Sequence, residues 1–276
     1  MNILESLFYG LIMGIAEFLP ISSQGHQSIL GALFGVRSSE PIRDILVHIA
    51  VLIAIYSSSR TYLDRIRREM KLNAYRSSKR KAQSDRRIAQ DLRLIRTAAI
   101  PMLMLLLLSI FTAKFKYNLG ITALFFLING AILYFPDHIG RTHKEAGQMS
   151  GLDGFLLGVL SALSVLPGIS RIGAGYSYAT IRGADGNKAY QWILVLSVVA
   201  LPVLIVCDVV GIIFTGVGTV TFVGFIGYLL SAVCAFAGAL IGIRLMKRII
   251  EYTSCSVFGF YCWGAALLSF LLHLFA

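Results

Sequence analysis

Three side chains able to carry charge or move protons interrupt stretches that are otherwise apolar: Glu17, His26 and Arg171. Each adjoins a short polar turn, Ser22-Ser23-Gln24-Gly25-His26 in one case and Pro167-Gly168-Ile169-Ser170-Arg171-Ile172-Gly173 in the other. Ionisable groups at membrane depth are costly, and they are kept where they face a cavity or one another. A carboxylate can serve as base or cation ligand, an imidazole as proton carrier, and a guanidinium fork matches phosphate oxygens. Hydroxyls from Ser22, Ser23 and Ser170 add donors. The arms that follow the turns present helix N-termini, whose free N–H groups and dipoles favour an anion. The chemistry that fits is an anion pocket open to lipid, with a phosphorylated lipid as occupant. The structural alternative is that Glu17 and Arg171 only pair while the serines cap helices. Asp44 and His48 begin the next apolar span, either as accessory groups near the pocket or as a satisfied polar pair. Asp208, near the end of a later span, reads as structural, and His138 and His143 as solvated loop residues.

The elements that position these groups follow from composition. The 276 residues are 57% hydrophobic and 14% charged, where a soluble domain of this size would be about one quarter charged. Residues 3–19 are apolar, end at Pro20 and return after the polar turn over 28–36. Neither arm spans a bilayer comfortably, so the pair reads as a helical hairpin dipping into the membrane. Met1 to Pro20 lacks a basic start and a small-residue cleavage site, so it reads as part of this hairpin and not as a signal peptide. Full spans are expected at about 43–58, 97–113 and 119–135. A second hairpin covers 152–166, its turn, and an arm to about Ile181. Spans near 188–214, 219–244 and 257–275 complete the chain.

Each half is thus a hairpin plus three spans, repeat 1 over about 1–136 and repeat 2 over about 151–276. An odd number of crossings per half makes this an inverted-topology repeat within a single all-α membrane domain. Charge agrees: 13 of the 25 Lys/Arg lie in loop 59–96, and the expected topology puts 20 on one side and 4 on the other, Arg37 and Arg43 among the 4. The positive-inside rule places the crowded side in the cytoplasm and both termini outside. The net charge of +11 is therefore loop charge facing cytoplasm and anionic lipid, not a nucleic-acid surface. Within that loop, the Arg60–Met70 and Ile88–Arg96 ends read as helical and Ser77–Ser84 as flexible. Cys207, Cys234, Cys255 and Cys262 lie in or beside apolar spans without metal-like spacing and read as small core residues.

The stretch Glu17-Phe18-Leu19-Pro20-Ile21-Ser22-Ser23-Gln24-Gly25-His26 resembles the first motif of the undecaprenyl-diphosphate phosphatases, the bacitracin-resistance family, and Pro167-Gly168-Ile169-Ser170-Arg171-Ile172-Gly173-Ala174 resembles the second. Length, motif separation and the Asp44…His48 segment fit as well. The resemblance implies removal of the terminal phosphate of undecaprenyl diphosphate at the outer face of the bacterial plasma membrane, with a divalent cation, Mg²⁺ or Ca²⁺. It implies Glu17 as cation ligand or base, His26 in proton transfer or attack, and Ser23 as nucleophile or phosphate ligand. Arg171 and Ser170 would clamp the diphosphate, with Ser22, Gly168 and Gly173 from the turns, and Asp44, His48 and Gln24 as accessories. The implied partners are a polyprenyl phosphate or diphosphate lipid and the bilayer, with a homodimer left open. Several positions depart from the family pattern. Met13 stands where an acidic residue or Gln is expected, Gln24 replaces a Thr, Ser161 a Gln, and Ile172 and Gly175 replace a Ser and a Thr. Thioether sulfur is a poor ligand for hard cations, and each lost charge-assisted hydrogen bond is worth about 1.5–3 kcal/mol. A polyprenyl-phosphate flippase, or a lipid-phosphate binder without hydrolysis, is the alternative.

Overall fold

Runs of Leu, Ile, Val, Ala and Phe in a lipid environment leave the backbone no hydrogen-bond partner but itself, so helices form. The computed structural model describes residues 3–35, 40–74, 85–107, 109–112, 117–138, 148–216 and 220–275, and no strand occurs among them. The helices are α1 (Ile3–Phe18), α2 (Ser23–Leu33), α3 (Pro41–Ala74), α4 (Arg86–Leu106), the short α5 (Ser109–Thr112), α6 (Leu119–Tyr134), α7 (Gly151–Ala162), α8 (Arg171–Ile181), α9 (Gly186–Thr215), α10 (Phe222–Tyr252) and α11 (Val257–Phe275). Five are long and apolar enough to cross a membrane: Pro41–Leu72, Leu119–Asp137, Gly186–Phe214, Phe222–Tyr252 and Val257–Phe275. Their outward faces carry exposed Ile213, Phe214, Phe222, Val233 and Leu267, apolar surface that water would not tolerate. The chain is an integral membrane protein.

The other expected span, 97–113, is broken. Arg93 and Arg96 occupy the first half of α4, and the helix stops at Leu106 before α5 resumes at Ser109. The span expected at 43–58 is the start of the 34-residue α3, which kinks at Ser59 and measures about 51 Å along its path at 1.5 Å per residue. It therefore projects well past a hydrocarbon core of about 30 Å. Helix thus covers Arg60–Met70 and Ile88–Arg96 as expected, while Ser77–Ser84, Arg37, Lys114, Lys116 and His143 lie outside the described residues.

Arg43 departs from its sequence reading as a loop cation. Its side chain is 1% exposed, over the Tyr9 ring at 3.8 Å and bonded to Glu40 and Asp44. A charge can be buried when carboxylates and an aromatic face replace its water.

Glycines permit close approaches between helices. A Cβ on Gly14 of α1 would run into the Ala235 carbonyl of α10, and one on Gly158 of α7 into the Ala98 carbonyl of α4. Each glycine has a second four residues earlier, Gly10 and Gly154, so both helices present the small-xxx-small ridge that draws membrane helices together. Beyond these, α3 packs on α9 and on α10, and α6 on α11.

α1–α2 and α7–α8 are the two hairpins. Both second arms begin earlier than the sequence suggests, because a serine caps each. Ser22 Oγ accepts from Gly25 N at 3.2 Å, and Ser170 Oγ from Gly173 N at 3.1 Å. Gly25, His26 and Arg171, expected in turns, are consequently helical.

Candidate active site

The two hairpin turns meet. Gly168 N donates to Ser22 Oγ at 3.1 Å, and Ser170 Oγ donates to the Leu19 carbonyl at 3.3 Å. Asn129, fully buried on α6, bonds both turns: its amide donates to Pro20 O at 2.9 Å and its oxygen accepts from Ser170 N at 3.0 Å. Ser22 sits at φ +65°, which is uncommon and strained for a residue with a Cβ. The two N–H groups held by its hydroxyl offset that strain. Gly168, at φ +115°, lies so close to Phe125 and Phe126 that no side chain fits.

Where the turns converge, a cavity of about 310 Å³ opens, lined by Glu17, Ser23, Gln24, Ser170 and Arg171 from the hairpins, with Met13, Gln27, His48 and Asp208 beside them. Glu17 is the hub. Its Oε1 accepts from Arg171 at 3.1 Å and its Oε2 from the Ser23 hydroxyl at 2.5 Å. The carboxylate and guanidinium side chains are only 10% and 6% exposed, so their attraction is weakly screened. Arg171 keeps a buried Nε–H without a partner, a donor available to a bound anion. Ser23 opens α2 and Arg171 opens α8, so both stand in first helical turns where dipoles favour negative charge. The arrangement can hold a phosphate group and deprotonate a hydroxyl beside it.

His26 does not join them. It is absent from the cavity wall; its Nδ1 donates to Ser22 O at 2.8 Å, and its Nε2 accepts from the Tyr261 hydroxyl at 2.7 Å. Because a carbonyl only accepts, Nδ1 must carry the proton. The ring stacks on Tyr261 and meets the edge of Phe126. The expectation that Glu17, His26 and Arg171 share one chamber is therefore corrected: α2 turns about 100° per residue, which sets His26 about 110° from the centre of the Ser23–Gln24–Gln27 face.

The cavity imidazole is His48, whose Nδ1 bonds Asp208 at 3.0 Å. Asp208, read from sequence as structural, is thus a wall residue, and only the spatial pairing of α3 with α9 reveals it. Asp44 stays off the wall; it accepts from Tyr9 at 3.1 Å and from Gln27 at 3.0 Å, which ties the wall residue Gln27 in place. Ser22, though on the wall, has its oxygen committed to backbone N–H groups. Gly168 and Gly173 serve the crossing of the turns and do not line the cavity. Asn129 was missed by sequence; its one signal was a carboxamide within an apolar span.

The cation implied by the resemblance does not suit this donor set. Both Glu17 oxygens are engaged, a helical turn away the wall is the thioether of Met13, and a guanidinium already supplies positive charge at 3.1 Å. No group of three or more His, Cys, Asp or Glu gathers among the described residues. Mg²⁺ and Ca²⁺ want several oxygens, and the Glu17 carboxylate is already committed to Ser23 and Arg171.

The family model of bacitracin resistance protein BacA matches residues 6–268. Among curated relatives, an undecaprenyl-diphosphatase from Syntrophotalea carbinolica is 27% identical over 266 residues, covering 95% of this chain and 96% of its own. One from Methanobrevibacter smithii is 25% identical across the whole of both chains, and one from a Nocardioides species is 29% identical over 72% of each. With two motif turns meeting at one cavity and the family match running almost end to end, the chain belongs to the bacitracin resistance protein BacA family.

Proposed function

We propose that the chain hydrolyses undecaprenyl diphosphate, or a close polyprenyl diphosphate, to the monophosphate at the Glu17 cavity. The observation that carries this is a single carboxylate holding a serine hydroxyl on one oxygen and an arginine on the other at a cavity within the helix bundle. The names of the relatives supply the substrate class. Arg171 and the first-turn N–H groups of α2 and α8 bind the diphosphate. Ser23 Oγ attacks the terminal phosphorus while its proton passes to Glu17. The bond to the bridging oxygen breaks, and the monophosphate leaves with that electron pair, its charge balanced by Arg171. Glu17 releases the proton to the cavity water. A water then attacks phospho-Ser23, Glu17 takes its proton and returns it to the Ser23 oxygen, and inorganic phosphate departs. His48, oriented by Asp208, presents its other nitrogen to a phosphate oxygen.

Orientation and symmetry belong to the same proposal. Family and charge support a plasma-membrane site on the outer side. Two re-entrant hairpins related by an inverted repeat are supported by matching partners, α1 on α10 as α7 on α4, and by the same glycine spacing in α1 and α7. Phosphate release from polyprenyl diphosphate by purified protein tests the reading. Turnover abolished by Arg171→Ala and Ser23→Ala supports it. No release from the parent protein rejects hydrolysis, and movement of a polyprenyl phosphate across vesicles would then favour a transporter.

A further inference from the structure

α3 and α9 run antiparallel, so the chain leaves one shared end and arrives at the other. His48 and Asp208 mark the Glu17 cavity. Ser59, 11 residues further along α3, and Gln191, 17 residues earlier on α9, mark a second cavity of about 450 Å³. At 1.5 Å per residue it lies roughly 16–26 Å from the first.

Its wall is cationic, with Arg65 from α3, Lys188 from α9 and Lys247 from α10, and it includes no carboxylate. Lys188 is anchored by the buried Asp91 at 3.0 Å, which also accepts from Tyr62 and Trp192 at 3.0 Å each. That bond fixes where the ammonium stands. Among the described residues no acidic partner meets Arg65 or Lys247. At Ser59 the backbone leaves helical geometry (φ −121°, ψ 16°), and its buried hydroxyl, on the wall, has no hydrogen-bond partner. A buried hydroxyl without a partner is a donor open to a bound water or anion. The rest of the wall mixes apolar Leu63, Ile88, Leu194 and Val195 with polar Ser58, Thr61, Tyr62 and Gln191.

We propose that this cavity is a second anion site, which binds a phosphate group between Arg65, Lys247 and the Ser59 hydroxyl. Cations beside hydroxyl and amide groups and an apolar strip of Leu63, Leu194 and Val195 suit the phosphodiester of an anionic glycerophospholipid, with its glycerol against the polar side chains and its acyl chains along the strip. Free phosphate shares the chemistry. The site stands on its own residues and does not depend on hydrolysis at Glu17.

The test is a binding titration of the full-length protein in neutral detergent with short-chain phosphatidylglycerol, phosphatidylcholine and inorganic phosphate. It compares the parent, the double variant Arg65→Gln/Lys247→Gln and Ser59→Ala. Phosphatidylglycerol is expected to bind saturably, at least tenfold tighter than phosphatidylcholine, and the double variant to lose at least fivefold, with a smaller loss for Ser59→Ala. The charge-preserving pair Arg65→Lys/Lys247→Arg should retain binding, and unchanged unfolding temperatures separate site loss from misfolding. Inorganic phosphate binding with the same variant sensitivity assigns the site to free phosphate and still supports it. Failure of both phosphatidylglycerol and inorganic phosphate to saturate, or affinity unchanged in the double variant, overturns the proposal.

Discussion

Replacing Glu17 with glutamine separates catalysis from architecture better than any other single change. The amide keeps the shape of the carboxylate, and its oxygen can still accept from Arg171 across the present 3.1 Å. Its nitrogen, however, would face Ser23, so the 2.5 Å bond in which the serine hydroxyl donates to a charged acceptor is lost. A positioned general base contributes about 10²–10⁴-fold, or about 2.7–5.5 kcal/mol of barrier at 1.36 kcal/mol per decade. The stability cost should be smaller, about 1–3 kcal/mol for one weakened buried partner. Phosphate release measured at saturating polyprenyl diphosphate should therefore fall at least a hundredfold, while the unfolding temperature moves by a few degrees and the KM by less than tenfold. A variant that keeps a third or more of parental turnover would falsify the base role of Glu17. A fall in KM-limited rate alone would instead assign the carboxylate to binding.

Other consequences can be checked in the same preparations. Tyr261→Phe removes the 2.7 Å partner of His26, which stands off the cavity. It should cost about 0.5–1.5 kcal/mol of stability in thermal unfolding and leave turnover within about fivefold, the range expected without a direct catalytic contact. His48→Ala and Asp208→Ala should each lower turnover, and the double variant should be no worse than the poorer single one, because bonded partners are not additive. Full additivity would place the two in separate roles. Gly14→Ala and Gly158→Ala push a methyl into the Ala235 and Ala98 carbonyls. Each should lose at least about 1–3 kcal/mol in detergent unfolding, and neutral effects would deny the close approach. Asn129→Leu cuts both turns loose and should abolish turnover even where folded protein is recovered.

The hairpins, the long spans and the Glu17–Arg171 pair were legible because each leaves a local signature: apolar runs of the right length, Pro-Gly and Ser turns, and charges where lipid forbids them. Arg43 was not legible, since a cation four residues from a polar loop looks solvated until Tyr9, Glu40 and Asp44 are folded around it. The side taken by His26 depends on where α2 begins. Ser22 capping Gly25 N shifts that start to Ser23, which fixes the helical phase and turns the imidazole toward Tyr261. Asp208 and His48 are 160 residues apart, and neither predicts the other from its neighbours. The end of α4 at Leu106 also escaped, because the apolar composition runs on beyond it.

The crossing of the two turns has a consequence for biogenesis. Ser22 owes part of its strain relief to a residue made 146 positions later, since one of the two N–H groups on its hydroxyl is that of Gly168. As the ribosome delivers the chain from its amino end, the first hairpin must wait in the membrane with a strained serine, its Glu17 without the arginine that offsets its charge. On the proposed mechanism the chemistry is therefore assembled late, since a product ending before Gly168 has no Arg171 to meet Glu17.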